Sequence, residues 1–185
     1  MISKLIKLPI LKRLIPSLYK KYIFLFSKWD KTIYVDNIQY NLDLRHLIDR
    51  RFFFHKTYEN ELFQPLLNII DTKRIEYFFD IGSCWGLYSL RLSNKFKNLK
   101  IFSYDPIKKN IQRLNHSIKI NNINNVKTFC IAIGNKQTFV ELGATETYSP
   151  NFEIGQQNAV VTEKCNMNSI DNLHNLENKN IVIKI

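Results

Sequence analysis

The stretch Phe79-Asp80-Ile81-Gly82-Ser83-Cys84-Trp85-Gly86-Leu87-Tyr88-Ser89 decides the fold. Before it, Glu76-Tyr-Phe-Phe-Asp-Ile81 is a short apolar run of strand character. After it, Leu87 to Phe96 has the spacing of an amphipathic helix. A glycine between a strand and a helix lets the backbone approach a ligand with no Cβ in the way. The helix start behind it offers unpaired N–H groups and the favourable end of the dipole. Asp80, at the strand end, adds an acceptor for a cationic or hydroxyl-bearing group. Alone, a Gly-x-x-x-Gly turn specifies little; its neighbours sharpen it.

Working outward, Ile101-Phe-Ser-Tyr-Asp105 reads as a second strand, followed by a helix from Pro106 to about Ile120. Ile107, Ile111, Leu114 and Ile118 define its buried stripe, and Pro106 stands in the first turn, where a helix tolerates it. Val126 to Ile133 reads as a third strand. This alternation predicts an α/β Rossmann-like fold, a parallel sheet with flanking helices and right-handed crossovers. Upstream, Thr32-Ile-Tyr-Val and Ile38-Gln-Tyr-Asn-Leu flank Asp36-Asn37 as a hairpin. Leu44 to Arg50 and Tyr58 to Ile70 read as helices, the second with Leu62, Leu66 and Ile69/Ile70 at helical spacing. Downstream, Thr138 to Leu142 and Ala159 to Thr162 read as strands. Ser169 caps a short helix toward Asn175, and Ile181-Val-Ile-Lys-Ile185 opens a buried strand.

Asp105 closes the second strand, the place where doubly wound nucleotide-binding folds put an acid that accepts from both ribose hydroxyls. It is also placed to cap the helix at Pro106, and the two roles are compatible. A dinucleotide site usually carries Gly-x-Gly-x-x-Gly. Here the spacing is Gly82-x-x-x-Gly86, with Cys84 between. Asp80 would repel a pyrophosphate, whereas it suits the ammonium of a methionine moiety. The expected cofactor is therefore S-adenosylmethionine. An NAD-binding oxidoreductase and a non-catalytic cofactor- or membrane-binding module are the alternatives.

Phe79 to Ser89, Tyr104-Asp-Pro106, Ala132-Ile-Gly-Asn135, the upstream Tyr58-Glu59 and Ser169-Ile-Asp171 ahead of Ile181-Val-Ile-Lys-Ile185 resemble, in that order, the motifs of FkbM-type methyltransferases. The resemblance covers roughly residues 38 to 185. It implies a class I methyltransferase fold and S-adenosylmethionine-dependent O-methylation of a sugar, polyketide or related hydroxylated metabolite. It implies that Asp80, Gly82, Ser83 and Gly86 hold the methionine end, that Asp105 holds the ribose, and that the backbone around Ala132 lies near the adenine. Ser83-Cys84-Trp85 departs from a small Ala-Asn-x stretch, and Asp105 stands where Glu is commoner. Tyr58 and Glu59 are candidates for lining the acceptor pocket, or are surface residues of their helix. A hydroxyl acceptor also needs a base, and no residue is assigned that role. In the family, Ile-Lys-Ile precedes an Asp-x-Glu-Gly segment and further strands. The expectation is a partial methyltransferase domain over 36–185, incomplete at the C-terminus, with about four of some seven strands.

Most of the net charge of +11 sits in residues 1–35, where Lys4, Lys7, Lys12, Arg13, Lys20, Lys21, Lys28 and Lys31 face only Asp30. Prolines and charges interrupt this segment, and its longest uncharged run, Tyr22 to Ser27, is six residues. That is far short of the ~20 apolar residues of a membrane span, and there is no secretory-type apolar region. It reads as a basic amphipathic helical arm, either packed on the domain or, over residues 1–30, resting on an anionic membrane. Zinc-finger, RRM and arginine-rich signatures are absent, so no nucleic-acid partner is expected; the partner expected is a small-molecule or glycan acceptor. The three scattered cysteines and four scattered histidines fit neither disulfides nor a metal site, and point to a reducing, cytoplasmic setting.

Overall fold

The computed structural model describes Leu14 and residues 17–19, 21–22, 29–145, 147 and 152–185. Most of the expected basic arm thus lies outside the described residues; Leu14, 17–19 and 21–22 are helical. The chain divides into two compact units, Met1–Asn60 with Tyr148–Pro150, and Glu61–Thr147 with Asn151–Ile185. Hairpin and first helix belong to one unit and share a core.

In that first unit, β1 (Asp30–Val35) and β2 (Ile38–Asp43) pair antiparallel. Asp36 and Asn37 make the turn, with φ of 52° and 61°, the left-handed pair that a two-residue hairpin requires. Helix α1 (Leu47–His55) follows. Its Asp49, fully buried, accepts from the Asp43 N–H at 2.7 Å, and Phe52 meets the Tyr40 ring edge-on at 4.9 Å. Tyr40, Leu42, Leu44 and Phe52 are essentially inaccessible.

The second unit begins with α2 (Asn60–Thr72) and continues β3 (Tyr77–Ile81), α3 (Leu87–Lys95), β4 (Lys100–Tyr104), α4 (Lys108–Ile120) and β5 (Val126–Phe129). Two-residue β6 (Ala132–Ile133), β7 (Thr138–Ala144), β8 (Glu153–Ile154), β9 (Val161–Asn168), the single turn α5 (Ile170–Leu173) and β10 (Ile181–Lys184) complete it. As expected, β10-β3-β4-β5 form an all-parallel sheet with helices against it. Side chains alternate across a strand. One face therefore presents Phe78, Ile101, Val126 and Val182, which pack with Phe63, Leu67 and Ile70 of α2 and Tyr88 and Leu92 of α3. Full burial of one such side chain stabilises by roughly 1.5–3 kcal/mol, so this layer carries much of the unit.

Two expectations need correction. The buried stripe of α2 is Phe63, Leu67 and Ile70, while Leu62 and Ile69 are exposed. The larger Phe63 takes the inward position, against Tyr88 at 5.6 Å and under the Arg91 guanidinium at 3.6 Å. The third strand breaks at Cys130 into β5 and β6, which belong to different sheets. The strands β7 and β9 lie outside the parallel sheet. They pair antiparallel in a second sheet of order β6-β9-β7-β8, from Thr138↔Met167 to Ala144↔Val161. The Ser169 cap is as read, accepting from the Asn172 N–H at 3.3 Å. Among the described residues, no helix is long and apolar enough to cross a membrane.

The other face of the parallel sheet is aromatic. Phe79, Phe102, Tyr104 and Phe129 stack across three strands, Tyr104 and Phe129 at 4.8 Å. His174, just past α5, lies edge-on against all four rings and hydrogen-bonds the Tyr104 hydroxyl through Nε2. Burial pushes that hydroxyl well above its ordinary value. Burial, helped by the charge of Lys127, holds the His174 imidazole below its ordinary 6.5. A depressed folded-state value contributes stability that is present above 6.5 and lost as pH falls through the folded value. In urea denaturation, the stability advantage of the native chain over His174→Asn should therefore shrink between about pH 7.5 and about pH 5. An advantage that grows on acidification contradicts the assignment.

Candidate functional site

The carboxyl ends of parallel strands are where open α/β sheets bind ligands, and the motif residues converge there. After Ile81 the chain turns through Gly82, Cys84 and Gly86, with φ of 65°, 52° and 86°. The turn is fixed by hydrogen bonds. The Ser83 N–H donates to the Tyr104 carbonyl at 2.9 Å, the Gly86 N–H to the Ser83 carbonyl at 2.7 Å, and the Leu90 N–H to the Gly86 carbonyl at 2.8 Å as α3 begins. Its two glycines are needed for different reasons. A Cβ on Gly86 would stand 2.2 Å from Leu114 Cδ1, so α4 packs directly on this backbone. A Cβ on Gly82 would meet nothing within 4 Å; only its backbone angle calls for glycine, and the space beside it is open.

Asp105 holds the turn to the next helix. Its Oδ2 accepts from the Cys84 N–H at 2.8 Å, and its Oδ1 from the Ile107 N–H at 2.9 Å and Asn110 Nδ2 at 3.0 Å. The helix-start role is thus realised at Ile107, with α4 beginning at Lys108 and not at Pro106. A carboxylate offers about four lone-pair sites, so three chain donors leave room for a further one. The side chain is 5% exposed. Burial raises its carboxyl above the ordinary carboxylate value, the Asp80 charge adds to the rise, and the hydrogen bonds from Ile107, Asn110 and Cys84 oppose it.

Asp80 points into the protein. It is fully buried, and its Oδ2 accepts from Ser89 Oγ at 2.6 Å. Ser89 Oγ also hydrogen-bonds Ser103 Oγ at 2.7 Å. The other oxygen, Oδ1, accepts no hydrogen bond among the described residues and faces Lys184 Nζ at 3.2 Å. Lys184 is the register partner of Asp80 across β10 and β3, and its ammonium also donates to the carbonyls of Ile81 and Gly82 at 3.4 Å each. Ser83, 5% exposed, has an Oγ that is buried with no partner among the described residues.

Ala132 lies in β6, paired with Met167, and packs on the cluster of Ile107, Leu142 and Cys165. Ile107 of that cluster stands two residues from Asp105. Trp85 is buried, with the Arg113 guanidinium 5.8 Å from its ring. Tyr58 and Glu59 belong to the first unit. The three cysteines are free thiols. A separate depression, lined by Arg74, Glu76, Lys95, Lys97 and Lys100 among others, lies at the start of β3 and β4, the end of the strands away from Asp80 and Asp105.

Ser89, Ser103 and Lys184 escaped the reading of the motif. Two faint signals exist: Ser89 and Ser93 sit among the apolar positions of α3, and Lys184 interrupts an otherwise apolar strand. Strand register brings Ser103 and Lys184 beside Asp80, and Ser89 reaches it from α3.

No family model matches the chain, and no curated protein matches it. Solved structures with a related arrangement include M. jannaschii TYW2 in complex with AdoMet, 17% identical over 56% of this chain and 43% of that one, with a TM-score of 0.39. A SAM-dependent methyltransferase from Agrobacterium tumefaciens is 13% identical over 56% of this chain and 32% of its own, with a TM-score of 0.43. P. horikoshii TYW2 in complex with MeSAdo is 13% identical over 68% and 50%, with a TM-score of 0.45. The chain spans half or less of the length of these structures. The likenesses are distant, and the functional reading rests on the site's own geometry.

The two glycines should separate on substitution. Gly86→Ala combines a left-handed φ with a clash of the new Cβ against the buried Leu114 side chain and should destabilise by about 3 kcal/mol or more. Gly82→Ala, with open space around it, should lose only about 1–2 kcal/mol. Equal losses in chemical denaturation, or the reverse order, would overturn this account of the turn.

Proposed function

We propose that the second unit binds S-adenosylmethionine at the Gly82–Gly86 turn, and that this protein uses it to methylate a hydroxyl group of a sugar or related small metabolite. The observation that carries the reading is the hydrogen bond from the Cys84 N–H to Asp105. It sets a glycine turn and a strand-end carboxylate side by side, as a ligand with a ribose and a charged tail requires.

Three features fit that ligand. Ser83 Oγ is buried and unpartnered among the described residues. The space next to Gly82 is open. Asp105 has acceptor capacity left after its three chain donors. In this reading Asp105 takes the ribose hydroxyls, Gly82, Ser83 and Gly86 border the methionine end with Asp80 beneath them, and the strand around Ala132 borders the adenine. When bound, the cofactor supplies a sulfonium-activated methyl group open to in-line displacement by an acceptor oxygen. The work of the chain is to position, and positioning alone accounts for a large part of such a barrier. Hydrogen bonds that already hold the turn mean little reordering is needed on binding.

The choice of a hydroxyl acceptor rests on the resemblance to FkbM-type enzymes. In this reading the acceptor is a small molecule or glycan.

Asp105→Ala should weaken S-adenosylhomocysteine, measured by isothermal calorimetry, by about 2 kcal/mol, or about 30-fold. Unchanged affinity in a folded variant would reduce Asp105 to a structural link between the turn and α4.

A further inference from the structure

We propose that Cys130 and Cys165 form a redox-sensitive dithiol, which a peroxide closes to a disulfide beside the segment that follows Asp105. The inference stands apart from the cofactor reading and needs no bound ligand. Distant in sequence, the two residues are brought together within the second unit. The third cysteine, Cys84, lies in the Gly82–Gly86 turn.

The case begins with register. Strands β6 and β9 run parallel, with Ala132 opposite Met167. Two residues back along each segment stand Cys130 and Cys165. Neighbouring strands lie about 4.8 Å apart, inside the ~4.4–6.8 Å between Cα atoms that a disulfide spans. The two sulfurs also share their surroundings. The Ala132 N–H donates to Cys165 Sγ, and Cys165 packs in one cluster with Ile107. Cys130 Sγ donates to the carbonyl of Pro106, the residue before Ile107, at 3.8 Å. Both thiols therefore border the Pro106–Ile107 segment, from the two strands that register sets side by side.

Access differs between them and sets the order of events. Cys130 is exposed and Cys165 is buried, so a peroxide meets Cys130 first. The Cys130 thiolate attacks one oxygen of hydrogen peroxide and becomes a sulfenic acid, while the other oxygen leaves as hydroxide and takes up the thiol proton as water. Cys165 sulfur then displaces the sulfenic hydroxide, which leaves with the Cys165 proton as a second water. Two thiols are oxidised to one S–S bond and one peroxide is reduced to two waters. Burial raises both thiols above their ordinary value, and the charges of Glu163 and Asp105 add to the rise. A Cys165 thiolate adds further at Cys130; Lys108 opposes the rise there, and the Ala132 hydrogen bond opposes it at Cys165. Little thiolate is therefore present at neutral pH, and closure is slow there and faster in alkali. Thiols of raised pKa are also poor leaving groups, so the bond reopens slowly. Once closed it ties a loop containing β6, β7 and β8, which restricts the unfolded chain.

Hydrogen peroxide added to the folded full chain tests this directly, with unfolding, alkylation by iodoacetamide and peptide mass spectrometry without reductant to follow. The monomer should yield the Cys130 and Cys165 peptides joined with the loss of two hydrogens, and Cys84 alkylated. The same treatment of the chain unfolded in urea should scatter the links over all three cysteines. Recovery of Cys130 as a sulfinic acid with Cys165 alkylated overturns the dithiol, as does a folded chain that scatters its links like the unfolded one. Thermal unfolding gives a second readout. The oxidised chain should unfold at a higher temperature than the reduced chain, and dithiothreitol should return the midpoint. Cys130→Ser, at an exposed position, should abolish both the link and the gain. A linked chain that unfolds no higher than the reduced one shows that the fold does not accommodate the bond, and overturns the proposal.

Discussion

The Asp105 carboxylate holds three pieces of chain that would otherwise be independent: the turn after β3 through Cys84, the entry to α4 through Ile107, and the first turn of that helix through Asn110. Because the group is buried, its cost of desolvation is offset only when all three donors are in place. Loss of one bond therefore weakens the placement of the others. The Gly82–Gly86 backbone, the packing of Leu114 on Gly86 and the contact of Ile107 with the second sheet all follow from this junction.

A second buried carboxylate works beneath the first. Asp80, with Ser89, Ser103 and Lys184, ties β3 to α3, β4 and β10 on the face of the sheet that also carries the apolar layer. The opposite face is closed differently, by stacked rings and the neutral imidazole of His174. The carboxyl end of the sheet thus combines a charged, hydrogen-bonded floor with a stiff aromatic wall.

Much of the sheet was legible because local signals agreed. Short apolar runs, the glycine turn and the 3.6-residue stripe of α4 all pointed to parallel β/α units, and Asp36-Asn37 marked its hairpin through left-handed angles that these residues tolerate. The failures have physical causes. Leu62 and Phe63 both suit a helix stripe, and only Tyr88 and Arg91 from another helix decide that Phe63 turns inward. The break at Cys130 and the antiparallel pairing of β7 with β9 depend on partners distant in sequence, which periodicity does not carry. At the site, Asp80 and Asp105 could be picked out from their positions at strand ends. The pairing of Asp80 with Lys184 could not, since strand register brings that lysine alongside from a segment distant in sequence.

The central claim is that this turn is built for S-adenosylmethionine and not for a dinucleotide. Thermal unfolding of the chain with saturating S-adenosylhomocysteine, set against the same experiment with NADH, tests it most directly, because a ligand that binds only the folded state raises the midpoint by an amount that grows with the logarithm of its concentration over Kd. The account predicts a concentration-dependent rise with S-adenosylhomocysteine and none with NADH. A rise with NADH alone would contradict it and return the site to the dinucleotide-binding class.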